Sequence, residues 1–386
     1  MVERALITLQ ELCRLQNQPY RELMRGVRDR VDAIRDFDSA QIKHAGRPRV
    51  SVGRVSNVHI FGHTFLRTMD GKYVVERQAF QQDAIDFAST YAGRQIDTRE
   101  DLFSTWIEEE CIFLGGTWYD PEPNHGIPNF GHWLFEFMPR LAAFDMVGAK
   151  GPVVVYDSLP ARWVEFLVLA GIPRERILKI PVEHPPAFRQ VWVSSCPNYM
   201  DVDGIPRLWP HGLFWLRHRV FTNMVPPVNP FAGQRIYLGR GDAKWRRVIN
   251  ETDVVACLKG YGFETCELSK YDAALQVRIV AGAEFIVAAA GAASTITAFA
   301  PEECLILMHA PKTVGTGMWG SAGYARMLTQ VFARIDCAVE ASADSRLNES
   351  GLNEMADYSV DIAVLREKVE KGLATIKNDR RVDDGR

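Results

Sequence analysis

Apolar residues recur along the chain with two periods, and the switches between them divide it. Over residues 1–38, Leu6, Leu9, Leu12 and Leu15, then Met24, Val27, Val31 and Ile34, fall at helical spacing. That spacing predicts one or two amphipathic helices. From 49 to 78 the period drops to two. RVSVGRVSNVHIF, HTFLRT and YVVERQ alternate as strands, with Asp70-Gly71 as a hairpin turn. A helix near 79–91 and a strand, CIFLGG, follow.

From residue 130 onward helices and strands alternate. NFGHWLFEFMPRL opens a helix reaching about 147; PVVVYD is a buried strand and ARWVEFLVLAGI a helix; ILKIP and FRQVWVSSC are strands; IPRLWPHGLFWLRHRVF (205–221) is an aromatic-rich helix. NMVPPVNPFAGQ (223–234) then interrupts the pattern. Its prolines push their neighbours to extended geometry, so it reads as a linker. A second series follows: strand RIYLGR, helix NETDVVACLKGYG, strand FETCEL, helix KYDAALQVRIVAGA, strand EFIVAAA, a Gly-Ala turn, helix STITAFA and strand CLILMHA. A charged, periodic helix near 358–376 closes the chain. Strands alternating with helices predict parallel sheets. The expected fold class is α/β, with two Rossmann-like domains facing a cleft. The expected boundaries are 1–48 (helical segment), 49–225 (α/β with a β-rich start), 226–356 (Rossmann-like) and 357–386 (terminal helix and tail).

Composition narrows the function classes. A chain of 386 residues is long for one core. With a net charge of -3 and 24% charged residues, it has no basic excess to suggest nucleic acid. The seven cysteines form no CxxC pair, which argues against a disulfide framework or structural zinc and fits a reducing cytosol. MVERALITLQELCRLQ carries charges inside its apolar stretch and is not expected to be a signal peptide. No apolar run is long enough to predict a membrane-spanning helix, and the apolar stripe of 1–38 leaves room for peripheral membrane contact.

Three stretches carry candidate chemistry. In NFGHWLFEFMPRL, at about 100° per residue, His132, Glu136 and Arg140 span about 80° of an otherwise apolar helix, with Asn129 inside the arc. Such a stripe is either the solvent-facing strip of a nearly buried helix, with Glu136 and Arg140 as an ordinary i,i+4 pair, or the lining of a cleft. A histidine one turn from a carboxylate is how a general base is oriented and tuned. Pro139 should kink the helix or start a new one. In LGRGDAKWRRVINE, Arg240, Lys244, Arg246 and Arg247 sit between a strand and a helix, with Asn250 as N-cap. The place favours an anion site, most simply for a diphosphate, over a solvated basic loop. In VAAAGAASTITAF, small residues precede a helix starting near Ser294–Thr295, and its amides could hold a phosphate. Tight helix–strand packing would give the same composition. Asp201 and Asp203, the pair His211 and His218, and the pair His59 and His63 do not make convincing metal sites. There is no GxGxxG, P-loop, GxSxG or HExxH.

NFGHWLFEFMPRL resembles the first signature of glycosyltransferase family 61, whose bacterial members are linked to capsular and surface polysaccharide synthesis. The stretch from RIYLGRGDAKWRRVINE through GFE to VAAAGAASTITAF resembles the second half of that family, and the similarity spans roughly residues 49–312. The resemblance implies a two-domain GT-B fold. It implies inverting transfer of a sugar from a nucleotide-sugar donor, UDP-linked, to a glycan acceptor, with no metal and no other cofactor, in the cytoplasm at the inner face of the membrane. It sets His132 and Glu136 on the acceptor side as base candidates, with Asn129 and Arg140 beside them. It sets Arg240, Lys244, Arg246, Arg247 and Asn250 at the donor diphosphate, near Gly291, Ala292, Ser294 and Thr295. Gln276 matches the family's helix glutamine. The chain departs from the family at Ala290, where a histidine usually precedes the Gly-Ala turn. A catalytically inactive binding protein of the same fold is therefore the alternative. A nicotinamide oxidoreductase is a distant third.

Overall fold

The computed structural model describes residues 6–23, 48, 50–61, 65–74, 103–116, 129–182, 184–200, 206–224, 232–241, 243, 246–312, 331–339 and 356–383. They form two compact units, which part between 224 and 232.

The first unit is built on a mixed sheet. Its strands are β1 (Leu6–Ile7), β2 (Tyr20–Glu22), β3 (Ser51–Phe61), β4 (Phe65–Thr68), β5 (Tyr73–Val74), β6 (Trp106–Ile107), β7 (Cys111–Gly115), β8 (Val153–Tyr156), β9 (Ile177–Ile180) and β10 (Ala187–Ser194). The main order is β1-β5-β4-β3-β10-β7-β8-β9, with β2 on β3 and β6 on β10. The long strand β10 joins two halves. It runs antiparallel to β3, pairing Val191 with Val55, and parallel to β7, pairing Val191 with Cys111. Over the described residues of 49–78, which are 50–61 and 65–74, the β3-β4-β5 meander matches the alternation, including the turn at Asp70-Gly71, where Gly71 has φ 84°. Beyond β7 the strands β8 and β9 are parallel, joined through α4 (Ala161–Leu169), and β8 is buried on both faces, which is why PVVVYD reads as an unbroken apolar run.

Three expectations for this unit are corrected. Of the helical pattern expected over 1–38, the described residues 6–23 hold one helix, α1 (Leu9–Leu15), capped by Thr8 and Glu11 and flanked by β1 and β2, while 1–5 and 24–38 lie outside the described set. Leu6 pairs with Tyr73 and Tyr20 with Gly53. Pairing with distant strands overrides the local helical period. The helix expected over 130–147 is broken in two, as described below. Residues 79–91 lie outside the described set. The aromatic-rich helix, α5 (Pro210–Asn223), starts five residues later than the pattern suggested, after the two-stranded ribbon β11 (Tyr199–Met200) and β12 (Pro206–Arg207).

The second unit is a six-stranded sheet in the order β14-β13-β15-β16-β17-β18. Its strands are β13 (Gln234–Leu238), β14 (Phe263–Cys266), β15 (Ala283–Ala289), β16 (Leu305–Pro311), β17 (Val331–Val339) and β18 (Tyr358–Ser359). All neighbours are parallel except β17 and β18. Helices α6 (Glu251–Lys259), α7 (Ala273–Gly282) and α8 (Ile362–Asp383) complete it. Val254, Leu258, Phe285, Val287, Leu307, Leu365 and Val369 form one core. Each fully buried large apolar side chain contributes about 1.5–3 kcal/mol. The stretch expected as a helix near Ser294–Thr295 is a 3₁₀ helix starting earlier, Ala292–Phe299. Strand β17 has no counterpart among the sequence expectations.

Candidate active site

In the first unit the site is built by a defect in a helix. The crossover from β7 to β8 starts as α2 (Phe130–His132), widens to one π-turn (Trp133–Phe137) and resumes as α3 (Arg140–Met146). The Met138 N–H reaches back five residues to the Trp133 carbonyl, at 3.0 Å. Pro139 explains the widening. It has no N–H to give, and in a regular helix its ring would strike the carbonyl four residues earlier, that of Phe135. The carbonyls released by the π-turn find side-chain donors. Asn198 Nδ2 donates to the Phe135 carbonyl, and Arg140 Nε donates to the Glu136 carbonyl at 3.0 Å. Asn198 in turn accepts the Trp209 N–H at 2.6 Å, tying the π-turn to the entry of α5. Gly116, with φ 120°, lets the chain pass against Trp133, where a Cβ would come within 3.0 Å of the indole. π-turns inside α-helices are frequent at functional sites.

The π-turn holds a histidine–carboxylate pair. His132 Nδ1 lies 2.6 Å from Glu136 Oε1. The two are unequal in exposure: the His132 side chain is 38% exposed and that of Glu136 only 5%. Burial pulls His132 down, but the Glu136 charge and hydrogen bond outweigh it, and the imidazole is raised above its ordinary value. Behind the carboxylate, Cys196 Sγ is 3.9 Å from Oε2 and donates to the Asn198 carbonyl at 3.0 Å. Burial first, and the Glu136 charge second, push this thiol up to about 12, so it stays protonated. The sequence stripe is thus turned mostly inward. Arg140 is fully buried, with its guanidinium 4.8 Å over the Phe137 ring, and Asn129 caps α2 by accepting the Gly131 N–H at 2.8 Å. Of the four, Asn129 is exposed and His132 half-buried, so His132 is the one ionisable group of the stripe that reaches solvent.

In the second unit, the carboxyl ends of three parallel strands gather a polar cluster. After β13, the backbone N–H of Arg240 donates to Glu251 Oε1 at 2.9 Å, and the Tyr237 hydroxyl donates to the same oxygen at 3.1 Å. The Arg240 guanidinium lies over Gly291, the residue after β15 and Ala290. His309 of β16 stacks on Tyr237 at 5.8 Å, and its Nδ1 is 3.0 Å from the Tyr358 hydroxyl. Burial, and next the Arg240 charge, pull His309 down to about 3.

A histidine depressed in the folded state takes its proton more readily once unfolded. Its contribution to stability is therefore full above 6.5, its ordinary value, and is lost as pH falls toward 3. Tyr237, Tyr358 and Arg240 are the titratable groups around it. His309→Gln, which cannot protonate, is expected to close its stability gap to the wild type as pH drops below 6.5 in denaturant titrations. A gap constant with pH would contradict this.

The other basic residues are distributed differently. Arg247 is bound by Asp357, which accepts its backbone N–H at 2.8 Å and its guanidinium at 2.6 and 2.9 Å. Arg246 takes left-handed backbone, φ 56°, and its charge reaches Tyr358. Asn250 stands at the N-cap position of α6, but its side-chain amide pairs both ways with the backbone of Val360, at 2.8 and 2.9 Å. Ser294 Oγ donates to the Gly291 carbonyl and Thr295 Oγ1 to the Ala292 carbonyl, at 2.7 and 2.6 Å. Lys244 lies outside the described residues.

Residues 130–307 match the family model described as Glycosyltransferase 61. The match covers less than half of the chain and supports a likeness to glycosyltransferase family 61 over that stretch. It begins within the His132–Glu136 helix and ends after the Gly-Ala turn, a shorter span than the resemblance suggested. No curated protein matches the chain.

Two positions picked out by the likeness to glycosyltransferase family 61 gain a physical account. Gln276 is buried, and its Nε2 donates to the Leu268 and Tyr271 carbonyls at 2.8 and 3.0 Å, which ties the approach to α7. Ala290, where that family usually has a histidine, is buried and donates its N–H to the His309 carbonyl at 2.9 Å. Sequence reasoning missed Glu251, His309, Tyr358 and Asp357 as members of the second cluster, and Cys196 and Asn198 in the first. Glu251 reads in the sequence as an ordinary acidic first-turn residue. The others lie too far along the chain for any spacing to link them. Among the described residues no three His, Cys, Asp or Glu side chains gather as a metal site, and no helix is long and apolar enough to cross a membrane.

Proposed function

We propose that the protein is an inverting, metal-independent glycosyltransferase that moves a sugar from a UDP-linked or related nucleotide-sugar to a glycan acceptor in surface polysaccharide synthesis. It would act in the cytoplasm, peripherally at the inner face of the membrane. In this reading the chain has the GT-B arrangement, with 49–225 as the acceptor domain and 226–356 as the nucleotide-sugar domain. The observation that carries the reading is the His132–Glu136 pair. Inverting transfer needs a base for the acceptor hydroxyl proton, and an exposed imidazole held by a buried carboxylate is suited to that. In this reading His132 is the base and Glu136 orients it. The positive groups after β13, Arg240 first, would stabilise the departing diphosphate. Arg247, through its pairing with Asp357, and Asn250, Ser294 and Thr295, through the backbone contacts they make, would shape that side.

Ala290 favours a second reading, a binding protein of the same fold that has lost catalysis. A melting series with UDP, GDP and CMP separates the two. Under the first reading one of them raises the Tm by several degrees, because a ligand at 100 times its Kd stabilises by about 2.7 kcal/mol. No shift with any of them would count for the second reading.

A further inference from the structure

The Gly-Ala turn after β15 invites the view that its glycine lets a phosphate approach bare backbone. The structure puts something else there. A Cβ built on Gly291 would fall 1.3 Å from Nη1 of Arg240 and 2.5 Å from its Cζ. The space over Gly291 is already filled by a guanidinium. Gly291 itself has φ 170°, ordinary extended backbone open to any residue, so conformation does not explain the glycine. The side chain laid over it does.

The other end of Arg240 is fixed as well. Glu251 Oε1 accepts the Arg240 backbone N–H and the Tyr237 hydroxyl. The carboxylate is pressed into the turn Gly239-Arg240-Gly241: a Cβ on Gly239 would meet Oε1 at 2.8 Å, and one on Gly241 would meet Oε2 at 3.6 Å. Burial, then the Glu251 charge, push the Tyr237 hydroxyl up, so it remains a donor to that carboxylate. Beneath, His309 is neutral at physiological pH and adds no positive charge to repel the guanidinium.

We propose that Gly291 is the seat of the Arg240 side chain and Glu251 the positioning residue that fixes its backbone, so that the donor diphosphate is met by a pre-aimed guanidinium fork. This rests on the reading of the second cluster as the donor site. An arginine fork suits phosphate oxygens, and aiming it beforehand removes the ordering cost at binding.

The test uses the full-length protein, with UDP and inorganic pyrophosphate as probes in calorimetric titrations. Arg240→Ala is expected to weaken binding roughly 10- to 100-fold, the worth of a charged hydrogen bond. Gly291→Ala is expected to weaken it by as much while moving Tm by no more than about 2 °C, because the group it strikes is the end of a flexible side chain. The double variant should bind no worse than Arg240→Ala alone, since without the guanidinium the new methyl has nothing to displace. Glu251→Ala should raise KM for the donor more than it lowers kcat, and Glu251→Gln should restore much of the loss, because an amide oxygen still accepts the Arg240 N–H. Wild-type affinity in Gly291→Ala, or additive losses in the double variant, would overturn the seat while a loss in Arg240→Ala left the donor-site reading standing. Undiminished binding in Arg240→Ala, or a wild type that binds neither probe, would overturn both.

Discussion

Glu136→Gln is expected to lower the transfer rate by about 100-fold or more, the usual worth of general base catalysis, while leaving the melting behaviour of the folded protein nearly unchanged. The amide keeps the volume and one acceptor oxygen within reach of His132 but removes the charge. That charge is what raises His132, against the pull of burial. Without it only burial remains, and the imidazole falls. If His132 takes the acceptor proton, the wild-type rate climbs as pH rises through its raised pKa, and in the variant that acid limb moves to lower pH. The pair's contribution to stability runs the other way with pH. A histidine raised on folding stabilises fully below 6.5, and the stabilisation fades as pH passes upward through the raised value. A fully active Glu136→Gln protein, or an acid limb that stays in place, would remove Glu136 from the mechanism.

Arg140→Ala is expected to be the most damaging single change to stability, by about 3–5 kcal/mol, the scale of breaking up a buried charge set. Arg140 is one of the largest fully buried side chains in the protein. Truncation opens a cavity against Phe137, leaves the Glu136 carbonyl without its donor, and withdraws a positive charge from beside Cys196. Domains are stable by only about 5–15 kcal/mol in total, so the first unit would become marginal. The denaturant midpoint reports this directly. A loss below about 1 kcal/mol, the level of a surface ion pair, would mean that the guanidinium does little for the fold.

The sequence was most informative where structure is local. Buried parallel strands such as Ala283–Ala289 and Val153–Tyr156 show as unbroken apolar runs, and the hairpin at Asp70-Gly71 shows its own turn. The spacing of His132 and Glu136 likewise pointed to their meeting. What stayed hidden depends on distant partners. Leu6 and Tyr20 sit in strands because of Tyr73 and Gly53. Arg247 and Asn250 are engaged by Asp357 and Val360, each 110 residues further on. A wheel of constant pitch also cannot foresee a π-turn: it sets Arg140 at the edge of a polar stripe, solvent-facing or lining a cleft, and the structure buries it in the core. Strand β17 is a different case. Ala333, Ile335 and Cys337 are buried in alternation with Arg334 and Asp336, so its period was present to be read.

Pro139 links the fate of residues far from it in the chain. As long as proline holds position 139, the carbonyls of Phe135 and Glu136 must be answered by side chains, and positions 198 and 140 must each bring an N–H to them. Substitutions at the three sites are therefore coupled through backbone rather than through contact with one another. A residue with a good helical N–H at 139 would let the π-turn close to an α-turn and free Asn198 and Arg140 to vary, but it would also change the rotation of His132 relative to α3. Keeping the His132 imidazole in its present direction commits the interior of the unit to a proline, an asparagine and an arginine together.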